Sequence, residues 1–185
     1  MKFLIATAAL LFMAPVLLHA QNVEPRYAGQ GFFDFGLGTV EGWAIPFLIP
    51  GPNTYPKPRM WQVGGGGERF LSKGLGVGAE AGIVKWTGNP WPGSAVTASG
   101  DLSYHFGRHA RLGKLDPFVL GGLSFVGPTE KQGGRGSPAG NYGGGVNLWT
   151  EKHVALRCEF RDIAGATQYW PFPHYISLSF GLTFR

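Results

Sequence analysis

The last segment of the chain, Tyr175–Arg185, reads YISLSFGLTFR and alternates strictly in steps of two residues. Ile176, Leu178, Phe180, Leu182 and Phe184 fall on one side of the alternation. Tyr175, Ser177, Ser179, Gly181, Thr183 and Arg185 fall on the other. Successive side chains of a β-strand point to opposite faces, so this reads as a strand with one apolar and one small or polar face. Related segments recur at Gln30–Val40, Met60–Leu71, Gly74–Lys85, Ser94–Phe106, Leu115–Val126, Gly140–Trp149 and from Val154 to Arg161. Eight strands are predicted, with no helical period beyond residue 20.

The connections alternate in length. The segment 41–59 carries prolines at 46, 50, 52, 56 and 58 and cannot be a central strand. Ser72-Lys73-Gly74 and Thr150-Glu151-Lys152 are tight turns, whereas 86–93, 127–139 and 163–174 are long and 107–114 is intermediate. Alternating long loops and short turns suit a barrel whose two termini lie on the short-turn side. The doublet Gly121-Gly122 leads us to expect a bulge in the fifth strand.

Residues 1–20 read as a secretory leader: Lys2 is followed by the apolar run Phe3–Leu18 and then His19-Ala20. That leaves 21–185 as one domain. The run is short and broken by Pro15, which disfavours a retained helical anchor. Glycine, at 31 of 185 residues, is more than twice its usual share of ~7%. The lone Cys158 cannot form an internal disulfide and reads as a small apolar side chain. A net charge of +5 comes from scattered residues without a nucleic-acid motif, so no nucleic-acid partner is expected.

The polar faces decide the environment. They carry glycine, serine and charges of both signs: Glu80, Asp101, Arg157, Glu159 and Arg161. A soluble barrel would turn such charges to water. An eight-stranded barrel is filled by its own side chains, and charges persist there only when paired. Glu80 and Glu159 are therefore expected to pair with Arg157 and Arg161 inside, with lipid covering the apolar outside. Aromatic girdles are expected at Trp61, Trp86, Trp91, Tyr169 and Trp170 on the loop side. Phe70, Tyr104, Phe106, Trp149 and Phe184 would form the turn-side girdle. The fold class is all-β, an eight-stranded antiparallel up-and-down transmembrane β-barrel.

Through the leader, GLGVGAEAG, NYGGGVNLW, ALRCEFRD and SLSFGLTFR, the chain resembles the small eight-stranded outer-membrane barrels of the OmpA/OmpX-like kind. The resemblance implies export to the cell outer membrane, periplasmic termini and a monomer contacting outer-membrane lipid and lipopolysaccharide. It implies that assembly machinery reads an aromatic near the chain end. Phe184 fits that role, although Arg185 follows it. An envelope-structural or loop-mediated surface role without catalysis is expected. The alternatives are a lipid-modifying outer-membrane enzyme and a soluble, lipocalin-like periplasmic binder.

Few residues fall in catalytic or ligand-binding patterns. Asp101, Ser103 and His105 share one strand face, where neighbours project in parallel ~6.5–7 Å apart, so a polar ladder is favoured over a hydrolytic triad. His109, His153 and His174 lack ligand spacing, so no metal or cofactor is expected. Gly74-x-Gly76-x-Gly78 does not open a helix and is no phosphate loop. Lys57, Arg59, Lys131 and Arg135 are candidates for contact with anionic lipopolysaccharide.

Overall fold

A computed structural model describes residues 29–42, 58–72, 74–87, 93–107, 114–129, 136–165 and 173–185. The leader, Lys57, Lys131, Arg135, His109, Trp91, Tyr169 and Trp170 lie outside the described residues. The described chain forms β1 (Gly29–Gly42), β2 (Arg59–Ser72), β3 (Leu75–Thr87), β4 (Gly93–His105), β5 (Leu115–Pro128), β6 (Ser137–Trp149), β7 (Val154–Gly165) and β8 (Pro173–Phe184). Each strand pairs antiparallel with the next. β8 returns to β1, with Phe35 opposite Phe180, which closes the barrel. Closure matters because lipid offers no hydrogen bonds to an open strand edge. No helix of the described residues is long and apolar enough to cross a membrane.

Polarity is inverted relative to a protein in water. Phe33, Leu37, Leu102, Leu123, Phe125, Leu178 and Phe180 point outward and are exposed, Leu123 to 76%. Ser177, Ser179 and Thr183, alternating with the apolar residues of β8, are buried inside. A contiguous apolar wall of this extent is intolerable in water and correct in hydrocarbon. The fold is a transmembrane β-barrel.

The interior is layered. Near the loop side, Ala95, Val126, Ala139 and Ile163 form an apolar cluster, with Trp86 and Tyr175 packed against it and their rings 6.0 Å apart. Phe70, Phe118 and Trp149 are buried near the turn side. Charged and polar groups occupy the space between. Glycines make room where walls come close: a Cβ on Gly145 would sit 2.8 Å from the Phe118 ring and 3.0 Å from the Glu159 Cα. Gly74, with φ 83°, supplies the left-handed turn residue between β2 and β3.

Several expectations are corrected. The register runs unbroken through Gly121 and Gly122, and the irregularity lies between Phe70 and Ser72 instead. Gly122 is needed for close approach, since a Cβ there would crowd the Asp101 backbone. Phe70, Phe106 and Trp149 are buried and Trp86 is half-buried, so these four do not form a lipid-side girdle. Trp61 and Phe184 do face outward.

Candidate functional site

The densest chemistry is the polar middle of the lumen. On β7, alternation turns Arg157, Glu159 and Arg161 inward, and their long side chains bridge the spacing between same-face neighbours. Glu159 accepts from Arg157 Nε at 3.1 Å and from Arg161 Nε at 2.7 Å. Arg161 also reaches across the lumen to Glu80 on β3 at 2.8 Å and to Asp101 on β4 at 3.3 Å. One guanidinium, 2% exposed, thus ties three strands together. Arg157 lies over two rings, 4.3 Å from the Phe32 centroid and 4.2 Å from that of Phe118. Asn141 donates to Asp101 and to Ser124, both at 2.8 Å, and Ser124 bonds Ser99 at 2.7 Å.

The structure therefore places all five sequence-selected charges, Glu80, Asp101, Arg157, Glu159 and Arg161, in one connected cluster. Sequence reasoning missed Asp34, which faces the same lumen at 2% exposure and whose Oδ1 has no hydrogen-bond partner. Its place among Phe33, Phe35 and Leu37 on β1 was the available signal.

A second cluster closes the turn-side end. His105 Nδ1 lies 2.9 Å from Asp116 Oδ2 and its Nε2 lies 3.1 Å from Glu68 Oε2. Ser103 donates to the other Glu68 oxygen. The imidazole stacks on Phe118 at 5.1 Å and meets Phe70 edge-on at 5.1 Å. Ser103 and His105 thus share a carboxylate and do not address each other. Buried under aromatic rings, the group has the geometry of a structural clasp. Glu68 and Asp116 were also missed, because Gly64–Gly67 hides the facing of β2 and Pro117 interrupts that of β5.

Cavities of about 20 Å³, lined by residues including Glu68, Ser103, His105 and Arg157, and of about 10 Å³, beside Gln62, Glu80 and Thr97, interrupt this packing. They are water-sized and offer no room for a solute. Among the described residues no cluster of His, Cys, Asp or Glu is arranged to hold a metal ion.

A third group lies on the outer wall near the loop-side rim. Asp162 on β7 accepts from the Tyr142 hydroxyl at 2.7 Å and lies 2.8 Å from His174 Nδ1. Three adjacent strands contribute one residue each. The two partners shield a carboxylate that would otherwise face lipid, and Asp162 is 3% exposed.

Similarity to known proteins lies in the fold. Neisserial surface protein A superposes with a TM-score of 0.67 at 12% identity, over 85% of this chain and 97% of that one. The N-terminal barrel domain of OprF from Pseudomonas aeruginosa gives 0.54 at 16% identity, over 85% and 98%. This chain has the fold of the small eight-stranded outer-membrane barrels. The outer membrane enzyme PagL shares it as well, with a TM-score of 0.58 at 12% identity over 81% of this chain and 97% of that one. No family model and no curated protein sequence matches the chain.

Proposed function

We propose that the chain is an integral outer-membrane barrel with periplasmic termini, acting in envelope structure or in surface interactions through its loops. Its partners on this reading are outer-membrane lipid, lipopolysaccharide and the assembly machinery, with Phe184 as the assembly signal and residues 1–20 as the export leader. The observation that carries the reading is the inverted wall: Leu123 and Phe180 exposed outside, Glu159 and Arg161 buried inside. The cross-lumen ion pairs of Arg161 with Glu80 and Asp101, which fill the space between strands, support a structural role over solute transport. The test is envelope fractionation combined with gel mobility before and after heating. Recovery in the outer-membrane fraction with heat-dependent mobility supports the proposal. A water-soluble product indifferent to heating would overturn it.

A second reading, a lipid-modifying enzyme, is favoured by the Asp162–His174 pair on the lipid-facing wall, since a carboxylate-anchored imidazole is the arrangement of a general base. Mass spectrometry of the outer-leaflet glycolipid with and without expression decides: an unchanged profile removes this reading.

A further inference from the structure

The outer wall carries a charged patch that the lumen does not explain. Alternation along β2 and β3 turns Arg59, Trp61, Lys85 and Thr87 outward at the loop-side ends of these strands, and all four are exposed. The ladder sets Trp61 opposite Lys85 and Arg59 opposite Thr87. Directly opposed residues stand ~4.5–5.5 Å apart at Cβ and diagonal ones ~7–8 Å, so guanidinium, indole and ammonium share one small area. Val63 and Ile83 begin the apolar wall next to it. Arg59 is therefore a strand residue in the wall and not part of the preceding loop.

Neither Arg59 nor Lys85 makes an ion pair among the described residues. The described outward groups of the other strands at this level contrast with this pair. Val96 and Gly140 are uncharged, and Asp162 is held by Tyr142 and His174. Two cations that make no ion pair among the described residues, set at the edge of an apolar wall, suit anions of the membrane interface. The guanidinium fork and the ammonium both suit phosphate oxygens. The exposed indole between them offers a flat apolar face, and Thr87 a hydroxyl, which suit a sugar ring better than a glycerol backbone.

We propose that Arg59, Trp61, Lys85 and Thr87 form a headgroup site for a phosphorylated glycolipid of the leaflet facing the loops. The proposal rests on the outer-membrane reading for which leaflet that is. Its test uses purified protein, so the two fail separately: a folded, heat-modifiable membrane protein without the preference below keeps the membrane assignment and loses the site.

The experiment is native mass spectrometry of the barrel released from micelles containing, in turn, an acylated glucosamine disaccharide with two phosphates, its dephosphorylated form and phosphatidylglycerol. The wild type retains the phosphorylated glycolipid in preference to the other two. Arg59→Gln/Lys85→Gln lowers that retention about tenfold or more, the loss of charge-assisted bonds worth roughly 1.4 kcal/mol. Trp61→Ala weakens glycolipid retention and leaves phosphatidylglycerol unchanged. Arg69→Gln, which removes an exposed outward cation of β2 nearer the turn side, leaves retention unchanged. Should the double variant not fold, each single variant carries the same test with a smaller drop. Equal retention by wild type and the Gln variants, or equal retention of all three lipids, overturns the proposal.

Discussion

Arg161→Met separates the charge of the central guanidinium from its bulk. Methionine fills a comparable length, so little cavity is left and the packing cost stays small. What remains is a lumen in which Glu80, Asp101 and Glu159 have lost the cation that stood 2.8, 3.3 and 2.7 Å from them. Removing one partner of a buried ion pair costs about 3–5 kcal/mol, because an uncompensated charge stays behind. Against a typical total of roughly 5–15 kcal/mol, that is a large share of the stability. Arg157→Met is expected to cost at least about 1 kcal/mol less, since Glu159 then keeps Arg161. Adding Glu80→Gln to Arg161→Met is expected to restore about 1 kcal/mol or more by removing one stranded carboxylate. The assay is reversible urea unfolding of the refolded barrel in micelles, followed by tryptophan fluorescence and analysed by linear extrapolation. A loss below about 1 kcal/mol for Arg161→Met, or a larger loss for Arg157→Met, would refute the reasoning.

Three further outcomes follow from the packing and the chain end. Gly145→Val drives a side chain into Phe118 and the Glu159 backbone and is expected to cost about 3 kcal/mol or abolish folding, while Gly140→Ala, with nothing within 4 Å, leaves the urea midpoint unchanged. Equal midpoints for the two would contradict the described interior. His105→Leu takes from Asp116 its imidazole partner and leaves Glu68 with Ser103 and Gln30, and is expected to cost about 3 kcal/mol in the same assay; a stabilised variant would show that the clasp is dispensable. Phe184→Ala is expected to lower the amount of folded barrel in cells several-fold while refolding in micelles proceeds at wild-type yield. Parallel losses in both settings would make Phe184 a folding residue and not an assembly signal.

How much of this was legible in the sequence depends on how cleanly each strand alternates. β3, β4 and β8 carry uninterrupted two-residue patterns, so their outward rows and the inward position of Glu80 and Asp101 could be read directly. Arg157, Glu159 and Arg161 were legible for the same reason. Glycine erases the pattern by having no side chain to classify, which is why Glu68 after Gly64–Gly67 escaped notice. The same effect made Gly121-Gly122 look like a bulge, although both belong to a regular ladder. Strand ends were harder still. There the barrel is capped by its own aromatics, and Phe70, Phe106 and Trp149 pack inward where an interfacial girdle was expected. The Tyr142–Asp162–His174 group breaks the rule that charges face the lumen. Only the register, which sets Tyr142 opposite Asp162 and His174 opposite Ala164, brings its members together.

Lipid, and not water, covers the apolar wall. This coverage is tested most directly by spin labels placed one at a time from Ile176 to Phe184 in a Cys158→Ser background, with the barrel reconstituted in vesicles. Accessibility to oxygen, which concentrates in hydrocarbon, is predicted to rise and fall with a period of two residues. Maxima are predicted at Leu178, Phe180 and Leu182, with minima at Ser177, Ser179 and Thr183. High accessibility to a water-soluble nickel reagent at Leu178, Phe180 and Leu182 would show that water covers this wall.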